Sequence, residues 1–183
     1  MSIMITVAGE LALLFFIRLF KRSVDEKILR RMVLSILVAY LIGMFMVTLG
    51  HRSSESAGET NLILFSTFKR MFSPTVHRIR EWGFLRGIKE LKWIGYPSWE
   101  SMVLNYLLLL PLGYLFPLLS EKIHSWCRIL LVGFGASLII ETAQLLFHRG
   151  WFDVDDLFLN TIGALTGWGL YNLIVLRSGE ITT

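Results

Sequence analysis

Five apolar stretches separated by charged runs constrain this chain more than any other feature. They cover residues 3–20, 32–49, 102–119, 129–147 and 157–176. Each comes near the roughly 17–25 residues that a helix needs to cross the hydrocarbon core of a bilayer. Of the 183 residues 54% are hydrophobic and 17% charged, with a mean hydropathy of +0.60. Soluble domains carry about 25% charged residues. The pattern predicts an all-α fold: a polytopic membrane helical bundle of about five transmembrane helices. The first stretch has no positive n-region and no small-residue cleavage site, so it reads as a retained anchor rather than a signal peptide. The net charge of +4 suits anionic lipid headgroups, and no dense basic face of a soluble fold accompanies it to suggest nucleic acid. The single Cys127 excludes an internal disulfide and a Cys-pair metal site.

Residues 51–98 are too polar to cross a membrane and too apolar for a free loop. Leu62, Phe65, Phe68 and Phe72 recur at helical spacing until Ser73-Pro74 interrupts them. Val76, Ile79, Trp82, Leu85, Ile88 and Leu91 then repeat every third residue, opposite His77, Arg78, Arg80, Arg86, Lys89 and Lys92. A basic amphipathic segment in the interface, or a lid over the bundle mouth, would both give this pattern. Trp93, Trp99, Trp126 and Trp151 stand at span ends, where aromatic anchors are expected. The chain thus divides into two N-terminal spans (1–50), the amphipathic segment (51–98), a three-helix unit (99–177) and a tail (178–183). Lys and Arg tie at nine on each side of the membrane. Six of them fall in the short 18–31 loop, which places that loop and the C-terminus in the cytoplasm and the N-terminus outside.

Residues 137–169 hold the polar groups. Ser137, Glu141, Gln144 and His148 are spaced four, three and four apart, so they share one helical face. A charge at mid-bilayer costs roughly 2.5–3.5 kcal/mol, so Glu141 should face the bundle interior. A short acidic loop follows, with Arg149, Asp153, Asp155 and Asp156, and Asn160 lies one turn into the next span. A loop this short makes the fourth and fifth helices antiparallel neighbours, so these groups and Asn105 of the third span can meet at one membrane boundary. Each also has a plain structural use. Glu141 could pair with Arg149, Asn105 could join two helices, and Asp153 or Asp155 could cap the fifth helix. Gly163-x-x-x-Gly167 permits close helix approach, within the chain or in a homodimer. Pro111, Gly113 and Pro117 predict a kinked third span.

Asn105, Pro111-Leu112-Gly113, Glu141, Gln144, Asp153-x-Asp155-Asp156 and Asn160-Thr161-x-Gly163-Ala164, in that order, resemble the VanZ-like membrane protein family. Asn61-Leu62-Ile63-x-Phe65 is similar to a further family segment, although Leu64 stands where the family usually has proline. The match runs over 48–169, and Arg149 is only loosely placed within it. The resemblance implies a multi-pass protein of the bacterial cell membrane, in a family whose founding member is linked to teicoplanin-type glycopeptide resistance.

Three functions follow as expectations. The first is binding of a membrane lipid, a lipid-linked cell-wall intermediate or a lipoglycopeptide's tail, by Asn105, Glu141, Gln144, Arg149, Asp153, Asp155, Asp156 and Asn160. The second is a lipid-phosphate or ester hydrolase or transferase. There Asp153, Asp155 and Asp156 would hold a divalent metal such as Mg²⁺, and Glu141, His148 or Asp155 would be catalytic. The third is a proton-coupled carrier titrating at Glu141.

Overall fold

The computed structural model describes residues 7–9, 12–13, 15–17, 24–50, 60–83, 99–119 and 124–176. In chain order the elements are α1 (Glu26–Gly50), β1 (Thr60–Asn61), α2 (Ser66–Trp82), α3 (Trp99–Leu108), α4 (Leu110–Leu119), α5 (Trp126–Leu146), β2 (Phe152–Asp153), α6 (Val154–Leu170) and a π-helical turn (Tyr171–Leu176).

Three helical stretches among the described residues are long and apolar enough to cross a membrane: Glu26–Met46, Ser101–Leu119 and Trp126–Leu146. About five were expected. The first expected span falls mostly outside the described residues, as do Trp93, the 85–91 repeat and the tail. The fifth is α6, whose 17 residues rise about 26 Å before the backbone widens into the π turn.

The faces are arranged as lipid would require. On α1, Leu29, Val33 and Leu37 are buried at four-residue spacing, while Ile28, Leu34, Val38, Leu41, Ile42, Phe45 and Met46 point outward. On α5 the buried set is Ile129, Gly133, Ser137, Ile140, Glu141 and Gln144, and Leu131, Phe134, Leu138 and Ile139 are exposed. Ser137, Glu141 and Gln144 thus turn inward while large apolar side chains face out, the reverse of a soluble amphipathic helix.

The central helix is α6, with α3 and α4 on one side and α5 on the other. Glycines set the approach. A Cβ on Gly163 would lie 1.9 Å from the Tyr106 carbonyl oxygen, one on Gly167 2.0 Å from that of Leu110, and one on Gly113 1.9 Å from that of Ala164. The small-residue face is therefore filled by backbone within the chain. The third span breaks at Leu109, just before Pro111, and α4 restarts with that proline in its first turn, where its missing N–H costs little.

Two features depart from the sequence reading. Helix α2 continues through Ser73-Pro74 instead of ending there, since an interior proline can kink a helix without stopping it. And β1 pairs with β2 in a short parallel bridge, Thr60 opposite Phe152 and Asn61 opposite Asp153. Two-residue strands leave no period for a sequence to reveal. Trp126 and Trp151 are both partly exposed at helix ends, as interfacial anchors would be.

Candidate functional site

One buried polar column runs down the interior face of α5. Ser137, Glu141 and Gln144 are all at least nine-tenths buried, and Asn160 of α6 meets them from the side. The Asn160 amide donates to Ser137 Oγ at 3.0 Å, and Gln144 Nε2 lies 3.5 Å from the carbonyl oxygen of Thr48 on α1. That carbonyl dictates which end of the Gln144 amide faces it, so Gln144 Oε1 is turned away. Gln144 Oε1 and Asn160 Oδ1 are buried acceptors without a donor among the described residues. Ser137 and Gln144 are separated by about 10 Å along the helix axis, with Glu141 between them.

The upper end of the column is closed by carboxylates that cap helices. The Asp153 N–H donates to Glu141 Oε2 at 3.1 Å. Asp153 is also the N-cap of α6: its extended backbone precedes the helix and its Oδ1 accepts from the Asp155 N–H at 2.8 Å. Asn61 Nδ2 donates to that same oxygen at 3.1 Å, and the Thr67 hydroxyl to Oδ2 at 3.1 Å. Asp155, fully buried, accepts from the backbone N–H groups of Phe65 and Thr67, the latter at 2.7 Å. The N-termini of α2 and α6 thus converge on two shared carboxylates, which offset both helix dipoles and satisfy N–H groups that a helix start leaves unpaired.

Residues 60–67 form a strap over this end. Asn61 and Ser66 bond each other at 2.6 and 2.9 Å, and Phe65 adopts φ 64°, uncommon for a bulky residue. Its N–H on Asp155 and edge-to-face contacts with Phe68 and Phe158, 5.8 and 5.5 Å between centroids, hold that conformation. Leu62, Ile63 and Leu64 at the strap's tip are exposed, as are Leu146 and Phe147 at the end of α5.

The structure brings Glu141, Gln144, Asp153, Asp155 and Asn160 together. Asp156 is half-buried in the first turn of α6. Asn105 is half-buried on α3, and no hydrogen bond joins it to the column among the described residues. His148 and Arg149 are exposed. The reason is local: α5 ends at Leu146, His148 takes φ 53°, and the N–H groups of His148 and Arg149 bond back to Leu145 and Gln144 at 3.2 and 2.8 Å. This is a Schellman motif with His148 in the position glycine favours, so the four-three-four row stops at Gln144. His148→Gly should raise stability by about 0.5–1 kcal/mol in a detergent melt and leave function intact; loss of function would restore His148 to the site.

Both oxygens of Asp153 and both of Asp155 accept from protein N–H or O–H groups, donors that would oppose a cation placed there. Among the described residues no three His, Cys, Asp or Glu gather as metal ligands would. The groups missed from the sequence are the donors Phe65 N–H, Ser66 and Thr67, and the acceptor carbonyl of Thr48. The Ser66-Thr67 pair at the start of a helix was the available signal.

Apolar helices with their polar groups turned inward define a helical membrane protein, and the buried Glu141 column sealed by a strap is its candidate site. A VanZ/LLP1 family model matches residues 32–175, and the chain belongs to that family. No curated protein and no solved structure matches it.

Proposed function

We propose that this chain is a bacterial cell-envelope protein that binds a lipid-linked envelope intermediate, or the lipid tail of a glycopeptide antibiotic, at the Glu141 column. Binding there alters susceptibility to teicoplanin-type glycopeptides. The observation that carries this is the burial of Glu141, only 2% exposed, in a helix that turns Leu131, Phe134, Leu138 and Ile139 outward. Ionisable groups at such depth are expensive and serve function by default. Family membership supports the envelope setting. The exposed apolar strap tip and the exposed Phe147 at the end of α5 offer a route by which an acyl chain can lie along the bundle while its head reaches the column.

The test is a susceptibility profile of an overexpressing strain across cell-wall antibiotics. Wild type should shift the inhibitory concentration of a teicoplanin-type compound several-fold, and Glu141→Gln should return it to baseline at equal membrane abundance. A full shift retained by Glu141→Gln would remove the column from the function. A photo-crosslinker at Phe147 should capture a lipid or glycopeptide in the same cells.

A further inference from the structure

Helix α2 contributes no side chain to the Glu141 column below its cap. Its place is set by Asp155, which accepts from the Thr67 N–H at 2.7 Å and also from the Phe65 N–H. The first turn of α2 is thereby fastened to the first turn of α6. That junction lies where the apolar stretch Trp126–Leu146 has just ended, so α2 starts at the membrane boundary. From there it cannot enter the hydrocarbon. Its 17 residues include Lys69, Arg70, Arg78, Arg80 and Glu81, and charges are expensive at mid-bilayer.

Three courses remain: over the bundle mouth, out into water, or along the interface. Covering the mouth would bury the apolar side of α2, but Val76 is 60% exposed. Standing in water would leave that side wet, together with Leu62, Ile63 and Leu64 just ahead of it, of which Ile63 is 72% exposed. Along the interface every face is matched. Phe68, Phe72 and Val76 follow at four-residue spacing and form one stripe. At about 100° per residue, His77 is placed opposite Phe68 and Glu81 opposite Phe72. Lys69 and Arg80, both exposed, stand seven residues before and four after Val76, on its side of the helix. Their long stems can lie on apolar surface while the cationic tips reach the headgroups. With four Lys and Arg against one Glu, α2 has the charge that anionic headgroups attract.

We propose that α2 and the strap tip are a docking surface for anionic phospholipid headgroups. Val76 and residues 62–64 sink into the acyl boundary, and Lys69 and Arg80 meet the phosphates. The surface is separate from the Glu141 column and does not depend on what the column binds.

The test uses the full chain in phosphatidylcholine nanodiscs with a rising share of phosphatidylglycerol. Cys127, the single cysteine, is changed to serine, and an environment-sensitive dye is attached at Val76→Cys or at His77→Cys. Both positions are exposed, so neither label disturbs the bundle. A spin-labelled lipid should quench the Val76 dye several-fold more than the His77 dye once phosphatidylglycerol is present. Each Lys or Arg held against an anionic surface favours the docked state about fivefold, so Lys69→Gln with Arg80→Gln should lower the docked-to-undocked ratio about 25-fold. Half-maximal quenching should then need a larger share of phosphatidylglycerol, with an unchanged Tm in pure phosphatidylcholine showing the bundle intact. Equal quenching at the two positions, quenching indifferent to phosphatidylglycerol, or an unmoved titration in the double variant would overturn the assignment. So would a Val76→Cys thiol shielded from a water-soluble maleimide in native membranes but reactive in anionic nanodiscs, a result that gives the face to a partner protein.

Discussion

Replacing Gly163 by alanine is expected to abolish the native packing of the last three helices. The new methyl carbon would sit 1.9 Å from the Tyr106 carbonyl oxygen and 3.0 Å from its carbon, both backbone atoms that no rotamer change can move. Either α6 retreats from α3 or the bond geometry at Tyr106 gives way. Overpacking of this kind costs about 1–3 kcal/mol where side chains can adjust, and more where they cannot. Retreat would also loosen Gly167 against Leu110, four residues along the same face, and lengthen the Tyr106 hydroxyl bond to Thr166, now 2.9 Å. A purified Gly163→Ala protein should melt well below wild type, or fail to accumulate in membranes. By contrast, a Cβ on Gly135 of α5 would meet nothing within 4 Å, so Gly135→Ala is the matched control. Equal stability of the two variants would show that α6 does not pack on α3 as described.

The second large effect is expected at Asp155. Asp155→Ala leaves the Phe65 and Thr67 N–H groups without their acceptor, at about 1–3 kcal/mol for each buried unpaired group. Asp155→Asn keeps the shape but turns an amide NH₂ toward one of the two N–H groups, so it should lose about half as much. Both variants should free the strap, and hydrogen exchange at residues 61–67 should speed up by orders of magnitude. The helices should stay assembled. Unchanged exchange at Thr67 would refute the capping role. This role also changes how susceptibility data on Asp155→Asn are read. A loss of phenotype there reports on the strap, whereas Glu141→Gln keeps every capping contact of Asp155 and reports on the column.

Much of the architecture was legible because lipid imposes simple rules. A run such as 129–147 is long enough to span, and one glutamate in it has few places to go but inward. The spacing of Ser137, Glu141 and Gln144 gave the shared face, and Asp153 read as a helix cap from its place ahead of an apolar run. His148 did not stay on that face, because helical periodicity says nothing about where a helix stops. Its C-terminal motif ordinarily shows itself by a glycine, and here a histidine holds the left-handed position. The strap was not legible for a different reason. Asn61 was visible only as part of a motif, and its partner Asp153 lies 92 positions away in sequence. The glycines of α6 could not by themselves say whether a second copy or the chain's own backbone fills their face. Only the Tyr106 and Leu110 carbonyls answer that. The aspartates looked like a candidate metal cluster because three carboxylates in four residues read that way on paper. In space Asp153 and Asp155 each serve a helix end.

The long separation between the strap and its anchors also sets an order of events during synthesis. Phe65 emerges 90 residues before Asp155. At roughly 5–20 residues per second the α2 N-terminus waits about 5–18 s for its acceptor. Throughout that interval the two N–H groups must rest on water or headgroups, so residues 60–83 cannot take up their final place while the earlier spans insert. The bundle is closed by its last helix. A chain cut before β2 would contain every residue of the strap and nothing to fasten it.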